Sequence, residues 1–232
     1  MARNPLMTLE EKLNPEWTAL ICIDYQNDFC HPDGSLGRCG FDVAPMAAIA
    51  LRLRRSVDQV RTAGVPIIFV RNIYAADQNL YLSDVSISQV RKSLRGMHFD
   101  VPHCKKDTWG WDYYGDVRPR KGDWEVFKHR YDAFINTDLD LILRSRGIRT
   151  LIICGVTTNV CVESTTRHAY FLDYYCVVPR DCVAAYGDDL HEMALKNIDF
   201  LFGEVAESDR IVKALSGTTP ASSPGGAPKS VA

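Results

Sequence analysis

Short apolar runs alternate along the chain with segments whose apolar residues recur every three or four positions. The runs are WTALICIDYQ (17–26), VPIIFVRN (65–72), WEVFKH (124–129), RTLIICG (149–155) and YCVVPR (175–180), with a last short one in DFLFG (199–203). They are rich in Val and Ile, the residues that suit a pleated, buried surface. Helical spacing predicts helices over 42–63, closed by Ala-Gly, around 84–94, from about 160 to 173 and near 188–198. Another is predicted over 136–147, starting at Asn136 or Thr137 and stopping at a glycine. The rest of 73–121 is polar, aromatic and irregular, and there is no internal repeat. Strands alternating with helices predict a parallel α/β sheet, covered by helices on both faces and joined by right-handed crossovers.

A chain of 232 residues is long enough for one sizeable core, and residues 1–215 read as a single domain. The remainder, SGTTPASSPGGAPKSVA (216–232), has almost no apolar bulk and is predicted to be disordered. A net charge of −2 argues against nucleic acid or an anionic membrane as partner. The short RPRK at 118–121 reads as a solvated loop. No apolar run approaches the ~20 residues of a membrane span, and the N-terminal stretch has no signal-type apolar core. The expected location is the cytoplasm. Eight cysteines at irregular spacing, without a CxxC pair, speak against a zinc knuckle and need no disulfides. Cys22, Cys154 and Cys176 lie inside apolar runs and read as small buried hydrophobes.

In open parallel sheets the active site lies beyond the carboxyl ends of the strands. Asp24 ends the first run, Lys128 ends WEVFK, and Cys161 follows the fourth run after a short turn. A helix N-terminus and a nearby ammonium both lower a thiol's pKa, and the free N–H groups of a first helical turn can receive an oxyanion. Each residue also has a structural reading. Asp24 can be a turn aspartate, Lys128 a lysine snorkelling on an edge, and Cys161 a small buried side chain. The coincidence of an acid, a cation and a nucleophile at three strand ends favours a site. The six histidines show no HExxH spacing, and His168 falls two helical turns beyond Cys161, a poor place for a catalytic partner. Neither GxGxxG nor a Walker A motif is present, and DGSLG (33–37) is a turn. The aromatic cluster TWGWDYYG (108–115) either walls a pocket or packs, against this chain or another copy.

ALICIDYQNDFC, the lysine in VFKHRYDAFINTDLDLILRSRGI, and LIICGVTTNVCVESTTRHAYFLDY together resemble the isochorismatase-like cysteine hydrolase superfamily, over about 17–215. Within it, YDAFINTDLDLILRSRGI and TNVCVEST are most similar to ureidoacrylate amidohydrolases, with biuret and triuret hydrolases as neighbours. The resemblance implies a Rossmann-like, three-layer α/β/α fold with a six-stranded, mostly parallel sheet. It implies an Asp24–Lys128–Cys161 triad, a cis peptide at Val156–Thr157, and an oxyanion hole from the N–H groups of Thr157 and Cys161. No cofactor is expected. Nicotinamidase-like members carry a metal-binding aspartate and histidines after the second strand, where this chain reads RNIYAADQNLY, so no metal is expected.

The implied activity is hydrolysis of a small linear ureido or carbamoyl amide through a thioester. An isochorismatase-type vinyl-ether hydrolase and a non-catalytic binding protein are the alternatives. Asn72 and Tyr131 lead the candidate substrate contacts, followed by Asn27, Phe29 and Phe134. Members of the superfamily commonly form dimers or tetramers, so a homo-oligomer is expected.

Overall fold

The structure is a computed structural model that describes residues 4–74, 81–93 and 103–217. The predicted tail beyond 217 lies outside the described residues, as does His98; residues 216 and 217 instead end a helix, Ser208–Gly217. Seven strands form one sheet: β1 (Thr18–Ile23), β2 (Ile67–Asn72), β3 (Trp124–Lys128), β4 (Thr150–Val156), β5 (Tyr175–Pro179), β6 (Val183–Ala184) and β7 (Glu204–Ala206). Their order is β3-β2-β1-β4-β5-β7, with the two-residue β6 paired to the end of β4. Every pairing is parallel.

β1, β2 and β4 are buried along their whole length, as continuous apolar runs require of a sheet covered on both faces. Alternate residues divide between two cores: Leu20 and Cys22 face one layer, while Ala19, Ile21 and Ile23 face the other. The long helix Ala50–Thr62 closes the first layer with Leu53, Val57 and Val60, spaced to lie on one face. All eight cysteines are buried and free. Among the described residues, no helix is long and apolar enough to cross a membrane.

Two features differ from expectation. The sheet has seven strands rather than six, because the short β6 is too brief to leave a pattern. DFLFG is not the last strand. Residues Ile198–Phe202 form a wide helical turn continuing helix Asp188–Asn197, and β7 follows at Glu204–Ala206. A short apolar run does not distinguish strand from helix by period. Here Phe202 lies against Tyr170 and Phe171, and Arg167 stacks over its ring.

Gly155 is the residue that lets β4 close on β1. Its φ is +106°, and a Cβ there would sit 2.1 Å from the Ile23 carbonyl oxygen. The strand can therefore approach only with no side chain at this point. Gly155→Ala is expected to lower stability by about 3 kcal/mol, combining left-handed strain with overpacking. The midpoint of urea unfolding measures it; a loss under about 1 kcal/mol would show that β1 and β4 can separate at little cost.

Candidate active site

The carboxyl ends of β1, β2, β3 and β4 bring one crevice together. Asp24 follows β1 directly, with φ of 50°, a left-handed turn that Asp tolerates better than most residues. Its N–H donates to the Val70 carbonyl at 2.8 Å, so the ladder with β2 continues while the carboxylate turns across the strand ends. Lys128 closes β3, the edge strand, yet only 1% of it is exposed. Its Nζ lies 2.7 Å from Asp24 Oδ2 and donates to the Arg130 carbonyl at 2.9 Å and to Cys161 Sγ at 3.6 Å. An ammonium has three donors, and these are three acceptors.

Cys161 lies in a wide π-type turn, Thr158–Val162, that leads into helix Glu163–Phe171. The helix thus begins earlier than its apolar spacing indicates. The Thr157 carbonyl accepts from both Val160 and Val162 N–H, holding the turn to the end of β4. The Val156–Thr157 peptide is cis. Thr158 Oγ1 is bonded to His191 Nδ1 at 2.9 Å, which ties the turn to helix Asp188–Asn197.

The electrostatics differ from expectation at the thiol. Burial pushes Cys161 well above the usual thiol range, and neighbouring Lys128 offsets this only in part. The helix terminus and lysine therefore do not leave a standing thiolate in the empty site. Burial also raises the Asp24 carboxyl above the usual carboxylate range, against the pull of Lys128. Burial alone would discharge Lys128, but Asp24 and Cys161 beside it win and hold its pKa above the usual lysine range.

Of the other candidate contacts, Asn72 is the register partner of Lys128 on β2, is buried, and faces the same crevice. Tyr131 is half exposed, and its hydroxyl feels the charges of Cys161 and Lys128. Asn27 is engaged elsewhere: its amide donates to the Trp109 carbonyl and its N–H to that of Asp112. Phe29 packs edge-on to His103, and its carbonyl accepts from the Tyr186 hydroxyl. Phe134 stacks between His168 and Tyr174 in the core layer beneath Cys161. His168 itself pairs with Asp132.

The aromatic cluster at 108–115 packs more than it walls. Trp111 and Tyr113, with Phe127, surround the Arg71 guanidinium at 3.7, 4.4 and 5.3 Å, while Arg71 pairs with Glu125. Three residues of the crevice escape sequence reasoning. Gln26 grips both backbone groups of Asn72, Tyr74 lies beside Asn72, and Tyr186 reaches the charges of Cys161 and Asp24. Only Gln26 leaves a signal, as a polar residue directly after a buried run.

Among the described residues, Asp28, His103 and Cys104 are the one group of three possible metal ligands close together. They read as a loop fastening. The two oxygens of Asp28 accept the N–H groups of Ser35 (2.8 Å) and Cys104 (2.7 Å), and His103 is bonded to the Ser35 hydroxyl.

A parallel α/β sheet with an acid, an ammonium and a thiol in contact at its strand ends defines a class of cysteine hydrolase folds, and comparison with known proteins places the chain within it. Residues 18–210 match the isochorismatase domain model, and the chain belongs to that family. It is 34% identical over 221 residues to ureidoacrylate amidohydrolase RutB of Methylobacterium radiotolerans, covering 93% of this chain and 85% of that one. A cysteine hydrolase from Pseudomonas syringae pv. phaseolicola superposes with a TM-score of 0.76 at 27% identity, covering 93% and 99% of the two chains. N-carbamoylsarcosine amidase from Thermoplasma acidophilum superposes with a TM-score of 0.65 at 26% identity, covering 83% and 97%.

Breaking the buried pair from one side should be costly. Lys128→Met leaves Asp24 buried without its counter-charge and is expected to cost about 3–5 kcal/mol. Asp24→Asn/Lys128→Met removes both charges and should recover much of that loss. Urea unfolding of the single and double variants measures the coupling, and simple additivity would show that the two groups do not act as a pair.

Proposed function

We propose that the protein is an amidohydrolase that cleaves a C–N bond of a small linear ureido or carbamoyl amide, with Cys161 as nucleophile. The observation that carries this reading is the Lys128 ammonium bonded at once to Asp24 and Cys161. The names borne by the ureidoacrylate and carbamoylsarcosine relatives support the substrate class.

Cys161 attacks the carbonyl carbon as its S–H proton passes to Asp24. The new S–C bond leaves the carbonyl oxygen negative, and the N–H groups of Thr157 and Cys161 hold it. Collapse breaks the C–N bond, and Asp24 returns the proton to the departing ammonia or amine. Asp24 then takes a proton from water, the hydroxide attacks the thioester, and the thiol leaves with the proton. A carbamate product decays to ammonia and CO₂. Lys128 keeps Asp24 ionised and lowers the energy of the sulfur anion only as it forms. A raised Asp24 pKa suits this work, because a general base is most effective near the operating pH.

The same reading places the protein in the cytoplasm as a homo-oligomer. Exposed Phe171 and Leu201, adjoining Tyr170 and Phe202, give an apolar patch that supports self-association.

Ammonia release from ureidoacrylate, biuret, triuret, N-carbamoyl amino acids, maleamate and nicotinamide tests the reaction. One ureido or carbamoyl compound should be turned over, and Cys161→Ala should lower that rate by about 10³-fold or more. Undiminished turnover in the variant, or turnover of isochorismate by both proteins with no ammonia from any amide, overturns the reading. The pH profile is a second test. Asp24 must be ionised, so kcat/KM should fall as pH drops through its raised pKa, and the acid limb should lie above the usual carboxylate value of 3.8. An acid limb at or below that value would remove Asp24 as the base.

A further inference from the structure

One buried acceptor in the crevice is unused. Asn72 is 2% exposed, and among the described residues its Oδ1 has no hydrogen-bond partner. Buried polar atoms are nearly always paired, so an orphan at a site is a place where a ligand atom belongs. The residue is also held with care. Its N–H donates to Gln26 Oε1 at 2.8 Å, and its carbonyl accepts from Gln26 Nε2 at 3.2 Å. Gln26 Nε2 is fixed in turn by the Trp111 carbonyl at 2.8 Å. The other side of the Asn72 amide lies within hydrogen-bonding reach of the Tyr74 hydroxyl and the Cys104 thiol. A clamped backbone and an engaged amide nitrogen leave Oδ1 as a fixed acceptor. In register, Asn72 is paired with Lys128, on the strand between those that carry Lys128 and Asp24.

We infer that Asn72 is a specificity-determining residue whose Oδ1 accepts the N–H on the retained side of the scissile carbonyl, so that the site selects a ureido group over a carboxamide. The inference rests on the amidohydrolase reading, in which Asp24 serves the departing nitrogen. A second acceptor in the same crevice then matches a second nitrogen. A carbonyl flanked by N–H on both sides is a ureido or carbamoyl group. A carboxamide presents carbon on one side, which cannot donate, and leaves Oδ1 unpaired. Sites built to hydrogen-bond a group discriminate strongly against analogues that lack it, because the protein's own polar atom is then buried without a partner.

Matched substrates in which only NH is exchanged for CH₂ test this directly: biuret against malonamide, and N-carbamoyl-β-alanine against glutaramate. Whichever pair is turned over, kcat/KM for the ureido member should exceed that of its methylene isostere by about 10- to 100-fold. In Asn72→Leu, of similar shape and without an acceptor, the ratio should collapse toward one while the melting temperature holds or rises. Parity within each pair in the wild type overturns the inference even if the variant fails to fold, and so does a preference that survives in Asn72→Leu. Binding to Cys161→Ser by calorimetry separates the two proposals. Preferential binding of the ureido member without any ammonia release from wild type would leave Asn72 as a ureido reader and sink the hydrolytic reading. No preference in binding or in turnover would sink the role of Asn72 alone.

Discussion

Everything at the strand ends is arranged around one buried ammonium. Removing Lys128 from water costs several kcal/mol unless its three N–H groups are met, and a carboxylate, a backbone carbonyl and a sulfur meet them. Those acceptors come from different parts of the chain: the end of β1, the segment after β3, and the turn after β4. The lysine therefore fixes the relative positions of strands that are not neighbours. β2 runs between β3 and β1 and presents Asn72 in the gap. The same interaction that makes the site chemically competent also makes its geometry hard to relax.

Charge and burial act together in a way that position alone does not reveal. A thiol at the start of a helix, beside a lysine, is ordinarily expected to ionise. Here Cys161 is nearly fully buried and shares its lysine with Asp24, and burial wins. The proton that must leave the sulfur has an acceptor within the same cluster, so activation is coupled to attack. This suits a carboxylate with a raised pKa better than one in the ordinary range.

Much of this was legible in the residues. The Val- and Ile-rich runs mark the five longer strands because buried parallel strands need continuous apolar stretches. Asp24, Lys128 and Cys161 stand out because ionisable or nucleophilic residues interrupt or follow such runs at their carboxyl ends. DFLFG misleads because five apolar residues carry no period, and only their packing against Tyr170 and Phe171 decides their shape. Tyr74 and Tyr186 were invisible because they lie in connecting segments, where neither spacing nor composition fixes direction. The engagement of Asn27 with the 109–112 loop was equally hidden, since it joins residues more than eighty positions apart. Sequence pattern reports which side of the sheet a residue occupies; it does not report which loop will be laid over it.

The protonated resting state of Cys161 bears on how such a protein withstands oxidants. Peroxides and disulfides react with thiolates, and their reach depends on exposure as well as charge. A nucleophile kept neutral and buried until a substrate carbonyl arrives offers them little to attack, and the seven other thiols are buried too. The burial that gives up a standing nucleophile thereby gives the empty enzyme a measure of chemical durability.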